Sequence, residues 1–142
     1  MKEKWHKYFM DIAEKVSTRA TCDRLRVGCV LVKDNRMIAS GYNGSISGEP
    51  HCDDAGHLMI EGHCKRTIHA ELNALLECAR LGHACNEAAC YVTFHPCIDC
   101  FKSLLQAGVK EIYYREIYRP EDLGVDLMHD IAERQGVVLE QV

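Results

Sequence analysis

The sequence predicts an α/β fold, a three-layer α/β/α sandwich with a mixed five-stranded sheet, and two patterns carry that expectation. The apolar run Val27-Gly28-Cys29-Val30-Leu31-Val32 is followed by the two-residue turn Asp34-Asn35 and a second strand from Arg36 to Tyr42. This is an antiparallel hairpin. Beyond it, helical and strand-like periods alternate, which sets parallel strands beside the hairpin and helices on both faces.

Each element has a local reason. Trp5, Tyr8, Phe9, Ile12, Ala13 and Val16 recur at helical spacing and predict a first helix over roughly 3–18. Gly41-Tyr42-Asn43-Gly44 breaks the second strand and opens a segment of about 43–66 with no clear periodicity. Segments of that length are functional or are held by something other than secondary structure. A second helix follows from about His69 to Leu81, with Leu72, Leu75, Leu76 and Ala79 on its core face and Gly82 as its stop. Ala89 to Thr93 reads as a third strand, Pro96 opens a third helix and Gly108 ends it. Glu111-Ile112-Tyr113-Tyr114 is a fourth strand. A fourth helix turns Leu123, Leu127, Met128 and Ile131 inward, with Glu121, Asp122, Asp126 and Asp130 in water, and Val137 to Leu139 is the last strand.

The 142 residues, 47% hydrophobic and 27% charged, suffice to bury one core and read as a single domain, 1–142. A formal charge of −4 without any run of Lys or Arg counts against a nucleic-acid partner. The start, Met1-Lys2-Glu3-Lys4-Trp5, has no apolar leader and no stretch reaches membrane-spanning length, so no membrane partner and a cytoplasmic location are expected. Nine cysteines, an odd number, argue against a disulfide framework in that compartment. Cys29, Cys78 and Cys90 sit in apolar patterns and read as packing residues.

The chemistry is concentrated at two helix starts, His69-Ala70-Glu71 and Pro96-Cys97-Ile98-Asp99-Cys100. Cys97 and Cys100 are three apart, so both sulfurs point to one side. A β-α-β crossover brings the two helix N-termini together, and their positive dipole ends favour thiolate over thiol. One imidazole and two thiolates make three ligands for zinc and leave its fourth position to water, as catalytic sites require. Glu71 lies about 200° around the helix from His69. At the first turn both side chains can still flank an object off the helix end, so Glu71 can carry protons without ligating the metal. Zinc lowers the pKa of bound water to roughly 7. A structural zinc site, or a core histidine near two unrelated cysteines, leaves Glu71, Pro96 and the helix-start placement without a purpose. His-x-Glu with Pro-Cys-x-x-Cys is also the known signature of zinc-dependent nucleobase deaminases.

Along nearly its whole length the chain resembles deoxycytidylate (dCMP) deaminases of bacterial and phage type. Val27-Gly28-Cys29-Val30, Gly41-Tyr42-Asn43-Gly44, His69-Ala70-Glu71-Leu72-Asn73-Ala74, Tyr91-Val92-Thr93, Pro96 to Cys100, Gln106 to Lys110 and Tyr118 carry the likeness. The resemblance implies a cytidine deaminase-like fold and conversion of dCMP to dUMP with release of ammonia, supplying dUMP for dTMP synthesis. It implies that Glu71 passes a proton from water to cytosine N3 and then to the leaving amino group, while the backbone N–H of Ala70 holds the pyrimidine O2. It also implies a homo-oligomer, often a hexamer among enzymes of this type, activated by dCTP and inhibited by dTTP with Mg2+.

The 5′-phosphate needs cations. Arg24 is the first candidate, with Arg19 and Arg26 behind it, while Asn43 suits the sugar or phosphate and Tyr118 closes over the substrate. Cys22, Cys52, His57, His63 and Cys64 gather in and around the aperiodic segment. Some relatives carry a second, structural zinc in this region. The expected ligands are Cys22, Cys52, His57 and Cys64, with His63 or His51 as substitutes, and closed binding would order a segment that has no core of its own. Two other readings share parts of the pattern: a tRNA adenosine or other nucleobase deaminase, and a non-catalytic zinc module, which would have no need of Glu71.

Overall fold

The computed structural model describes residues 2–118 and 124–142. Its elements are α1 (Lys2–Ser17), β1 (Gly28–Lys33), β2 (Arg36–Tyr42), β3 (Gly44–Ser45), α2 (Cys52–Ala55), β4 (Met59–Ile60) and β5 (His63–Cys64). They continue with β6 (Thr67–Ile68), α3 (Ala70–Leu81), β7 (Ala89–Phe94), α4 (Ile98–Gln106), β8 (Glu111–Glu116), α5 (Val125–Gln135) and β9 (Val138–Gln141). The main sheet has five strands in the order β2-β1-β7-β8-β9. β1 is antiparallel to both β2 and β7, whereas β7, β8 and β9 run parallel. This is the mixed three-layer sandwich expected from the sequence.

Alternation along the strands sorts the core into two layers. Cys29 and Leu31, Cys90 and Val92, and Ile112 and Tyr114 share one cluster with α3, α4 and α5. Val30 and Val32, Tyr91 and Tyr113 pack with Phe9, Met10 and Ala13 of α1. Asp34 and Asn35 both take the left-handed conformation, at φ 53° and 59°, which a tight hairpin turn demands and which Asp and Asn tolerate. Cys29, Cys78 and Cys90 are buried in the first cluster as packing residues.

Several local expectations are corrected. The buried face of α3 is Ala70, Glu71, Ala74 and Cys78, whereas Leu72 and Leu76 are exposed at 38% and 47% and Ala79 also faces out. Small residues allow α3 to lie close against β2, which rotates the leucines away from the sheet; Leu75 alone of the expected set is partly buried. Pro96 lies outside α4, because Cys97 is the capping residue and the helix begins at Ile98. In α5, Met128 is buried, Ile131 is partly buried and Leu127 is exposed, while Asp126 and Asp130 face water. Leu123, Glu121 and Asp122 lie outside the described residues.

The aperiodic segment is not without secondary structure. β3 pairs with β6 through Gly44↔Ile68 and Ser45↔Thr67, so the excursion leaves and returns at one place. Between them stand the short α2 and a small β4–β5 hairpin, Met59↔Cys64 and Ile60↔His63. Elements of two residues carry no period that a sequence pattern could reveal.

Candidate active site and second metal cluster

His69 and Cys97 occupy equivalent places, each capping the N-terminus of a helix, α3 and α4, in extended conformation. Neither side chain is spent on a capping hydrogen bond. His69 Nδ1 lies 3.5 Å from Cys97 Sγ and 3.4 Å from Cys100 Sγ. A tetrahedral zinc, with Zn–S about 2.3 Å and Zn–N about 2.0–2.1 Å, separates nitrogen and sulfur ligands by about 3.6 Å. The three donors therefore fit that ion with one position left over, and both helix N-termini point their positive ends at it. The Cys100 thiol beside Cys97 holds the Cys97 thiol far below its usual range, with His69 adding to the effect. Contact with Cys97 raises His69 in turn.

Glu71 follows on the first turn of α3 and is buried, with 5% of its surface exposed. Burial pushes its carboxyl up to about 7, against a smaller opposing pull from its own backbone and from His69. Glu71, His69, Ala70 and Cys97 line a cavity of about 340 Å³ whose walls also include Arg24, Asn43, Phe94, His95 and Tyr118. Ala70 is fully buried, at the helix start where backbone N–H groups lack intrahelical acceptors.

The substrate candidates differ in how they are held. Arg24 is exposed, with Nη1 3.2 Å from the Met59 sulfur. Arg19 is exposed outside this lining, and Arg26 is tied to the Ala20 carbonyl and to Asp53 at 3.8 Å. Asn43 is buried and spans the loop before β1: its Oδ1 accepts from Val27 N–H at 2.8 Å and its Nδ2 donates to Leu25 O at 2.7 Å. That arrangement makes Asn43 a brace for the loop bearing Arg24. Tyr118 stands edge-on to Phe94, ring centres 6.4 Å apart.

Two residues of this wall escaped the sequence reading. Phe94 and His95 close the cavity beside Cys97. His95 donates from Nδ1 to Pro96 O at 2.9 Å and packs its ring against Tyr114. Burial holds its pKa below the usual histidine value. Adjacency to the Pro-Cys-x-x-Cys motif was the only signal available for either.

A second cluster joins Cys22, Cys52, His57 and Cys64, whose ligand atoms all lie within 4.8 Å of one another. Cys22 Sγ is 3.4 Å from His57 Nδ1, and the sulfurs of Cys52 and Cys64 are 3.6 Å apart. For tetrahedral zinc two sulfurs stand about 3.8 Å apart, so this closed set of four also fits the ion. Burial pushes the Cys52 thiol up, with the neighbouring Cys64 adding to it. At Cys64 burial acts upward too, but backbone hydrogen bonds at Arg66 and Leu58, together with His57, outweigh it and lower the thiol. Neither substitute belongs to the set: His63 lines the cavity, and His51 precedes α2. Asp23, unremarked in the sequence, accepts from His57 Nε2 at 3.0 Å.

The model of the cytidine and deoxycytidylate deaminase zinc-binding region matches residues 3–116. ComE operon protein 2 of Bacillus subtilis (strain 168) is 50% identical over 138 residues, 97% of this chain and 71% of that protein. The deoxycytidylate deaminase of Enterobacteria phage T2 is 33% identical over 166 aligned positions, covering 90% of this chain and 87% of that enzyme. Among solved structures, dCMP deaminase from the cyanophage S-TIM5 in complex with dCMP and dUMP superposes with a TM-score of 0.83 at 33% identity, covering 100% of this chain and 99% of that one. A His-Cys-Cys cluster that could hold a metal ion, beside a buried carboxyl, is thus set in a chain matched by the deaminase zinc-binding model over residues 3–116, and the protein is a deaminase of the cytidine and deoxycytidylate deaminase family.

Proposed function

We propose that this deaminase hydrolyses dCMP to dUMP and ammonia, with Glu71 as its catalytic residue and His69, Cys97 and Cys100 as the ligands of its zinc. The observation that carries this reading is the shared cavity: its lining joins a buried carboxyl, Glu71, two of the three clustered donors, His69 and Cys97, and the arginine Arg24. The S-TIM5 relative, solved with dCMP and dUMP, supports the choice of nucleotide.

Zinc, when bound, supplies Lewis-acid activation of water near neutral pH. The chain's own residues do the rest. Glu71 takes a proton from the attacking water, delivers it to cytosine N3, and then protonates the departing amino group. Its burial keeps bulk water from competing for those protons. The Ala70 N–H, at the positive end of α3, donates to the pyrimidine O2 and fixes the ring against Glu71. Arg24 meets the 5′-phosphate, Asn43 braces the Arg24 loop, and Tyr118 covers the nucleotide against Phe94. Cys22, Cys52, His57 and Cys64 hold a second, structural zinc.

A homo-oligomer in the cytoplasm, governed by dCTP and by dTTP with Mg2+, belongs to the same proposal. The exposed leucines of α3 support the assembly, since Leu72, Leu76 and Leu81 make an apolar stripe on a surface helix. Among the described residues no helix is long and apolar enough to cross a membrane.

Ammonia release from dCMP, CMP, deoxycytidine, dCTP and an adenosine-bearing RNA hairpin tests the reading. Turnover of dCMP above the others is expected. Turnover of the RNA alone overturns it in favour of a tRNA-type deaminase, and zinc binding with no turnover of any of them favours a non-catalytic module. Hyperbolic dCMP kinetics indifferent to dCTP and dTTP remove the regulation.

A further inference from the structure

The second cysteine-histidine cluster is built into the wall of the substrate cavity. Cys22 and Cys64 line that cavity together with Arg24. Arg24 is joined to the cluster on two sides, through its chain neighbours and through its contact with Met59. Behind it in the chain come Cys22, a member, and Asp23, which receives the Nε2 hydrogen of His57 at 3.0 Å. In front of it the guanidinium rests on Met59, at 3.2 Å, and Met59 pairs in register with Cys64, another member.

His57 has only one way to serve both neighbours. Its Nδ1 faces Cys22 Sγ at 3.4 Å and lies among the ligand atoms, so a metal there takes the Nδ1 lone pair. The hydrogen must then sit on Nε2, which points at the Asp23 carboxylate. A carboxylate behind a ligating imidazole fixes both its tautomer and its ring plane. Asp23 is 70% exposed, so as an ion pair alone it would be worth little. Its effect is geometric.

We propose that Asp23 is a positioning residue for the second metal, acting through His57, and that metal at this cluster sets Arg24 for the nucleotide phosphate. The two binding events are then linked: the metal tightens phosphate binding, and a bound 5′-phosphate tightens the metal by the same factor. This rests on the reading of Arg24 and dCMP given above.

Zinc release from the purified protein to a chromogenic chelator tests both halves. In Asp23→Ala, one of two zinc ions is expected to leave at roughly 10- to 100-fold lower chelator concentration, the loss typical of an outer carboxylate. Asp23→Asn, which keeps an acceptor oxygen, should restore part of that difference. In the cobalt-loaded protein, the thiolate-to-metal absorption of the second cluster should change in Asp23→Ala while that of the catalytic cluster stays. KM for dCMP should rise more than kcat falls. Added dUMP should protect the labile zinc, and uridine should not.

Release at wild-type chelator concentration in Asp23→Ala overturns the role of Asp23 whatever the substrate proves to be. Earlier release in Asp23→Ala supports that role even if dCMP is not turned over. If dUMP binds by calorimetry yet leaves zinc release unchanged, the linkage is overturned and the dCMP reading stands.

Discussion

A Cβ on Gly41 would stand 2.6 Å from the amide nitrogen of Ala74 and closer still to the carbonyl oxygen of Ala70. Only a hydrogen fits between β2 and the first turn of α3, and that contact sets the height of His69 and Glu71 over the sheet. Gly28 makes the equivalent approach on the other face, where a Cβ would meet the backbone of Ala13 and Ser17 in α1. Both Gly41→Ala and Gly28→Ala should destabilise the fold by about 1–3 kcal/mol or more, read by urea unfolding. They should part in activity. At a temperature where each is folded, Gly41→Ala should lose at least tenfold in kcat/KM, and Gly28→Ala should lose far less.

Glu71→Gln keeps the shape of the side chain and removes the carboxyl proposed to carry protons. Its kcat should fall by roughly 10²- to 10⁴-fold. Zinc content should not change, because Glu71 is outside the set of His69, Cys97 and Cys100. The unfolding midpoint should hold or rise, since burial disfavours the charged carboxylate that glutamine replaces.

Arg24→Ala separates nucleotide from nucleoside. A charged hydrogen bond is worth about 1.5–3 kcal/mol, so KM for dCMP should rise roughly 10- to 100-fold. Slow turnover of deoxycytidine, which has no phosphate to lose, should change by less than twofold in steady-state assays.

The leucines that α3 turns outward are the place to test assembly. Leu76, 47% exposed, shares a surface hollow with Tyr42, Asn73 and Leu81. Leu76→Glu should reduce the sedimenting mass toward that of one chain while far-ultraviolet circular dichroism stays the same. A wild-type protein that sediments as a monomer would remove the oligomer from the proposal.

Metal removal should act unequally along the chain. The purified protein should carry two zinc ions per chain by atomic absorption. Stripping both should expose the segment between Ser45 and Thr67 to limited proteolysis first, because its strands are two residues long and its α2 only four. The sheet keeps its own core, Leu31, Val92, Phe101 and Ile112 among it, and should resist longer.

The layers of the fold were legible because they rest on period. Strand residues such as Cys29 and Leu31 against Val30 and Val32 alternate as the two core clusters require. The core face of α3 was not legible. Leucine is the usual marker of a buried helix face, but a helix pressed onto a glycine strand buries its smallest residues, Ala70, Ala74 and Cys78, and the closeness of β2 is not written in α3. Both groups of candidate metal ligands could be read from residue type and spacing, and the fold brings the side chains of each group together. Asp23 and His95 could not, since their importance comes from what they touch: His57 in one case, Pro96 and Tyr114 in the other.

The pairing of Gly44 and Ser45 with Ile68 and Thr67 makes the excursion a cassette. Its two ends are stapled side by side, one residue from His69 and two from Tyr42. Lengthening the loop inside such a staple costs only slowly growing closure entropy. Segments of other lengths can therefore be exchanged between Ile46 and Arg66 without shifting the start of α3, provided that they return a partner for Cys22. The deaminase sheet can thus host different clasps beside an unchanged start of α3.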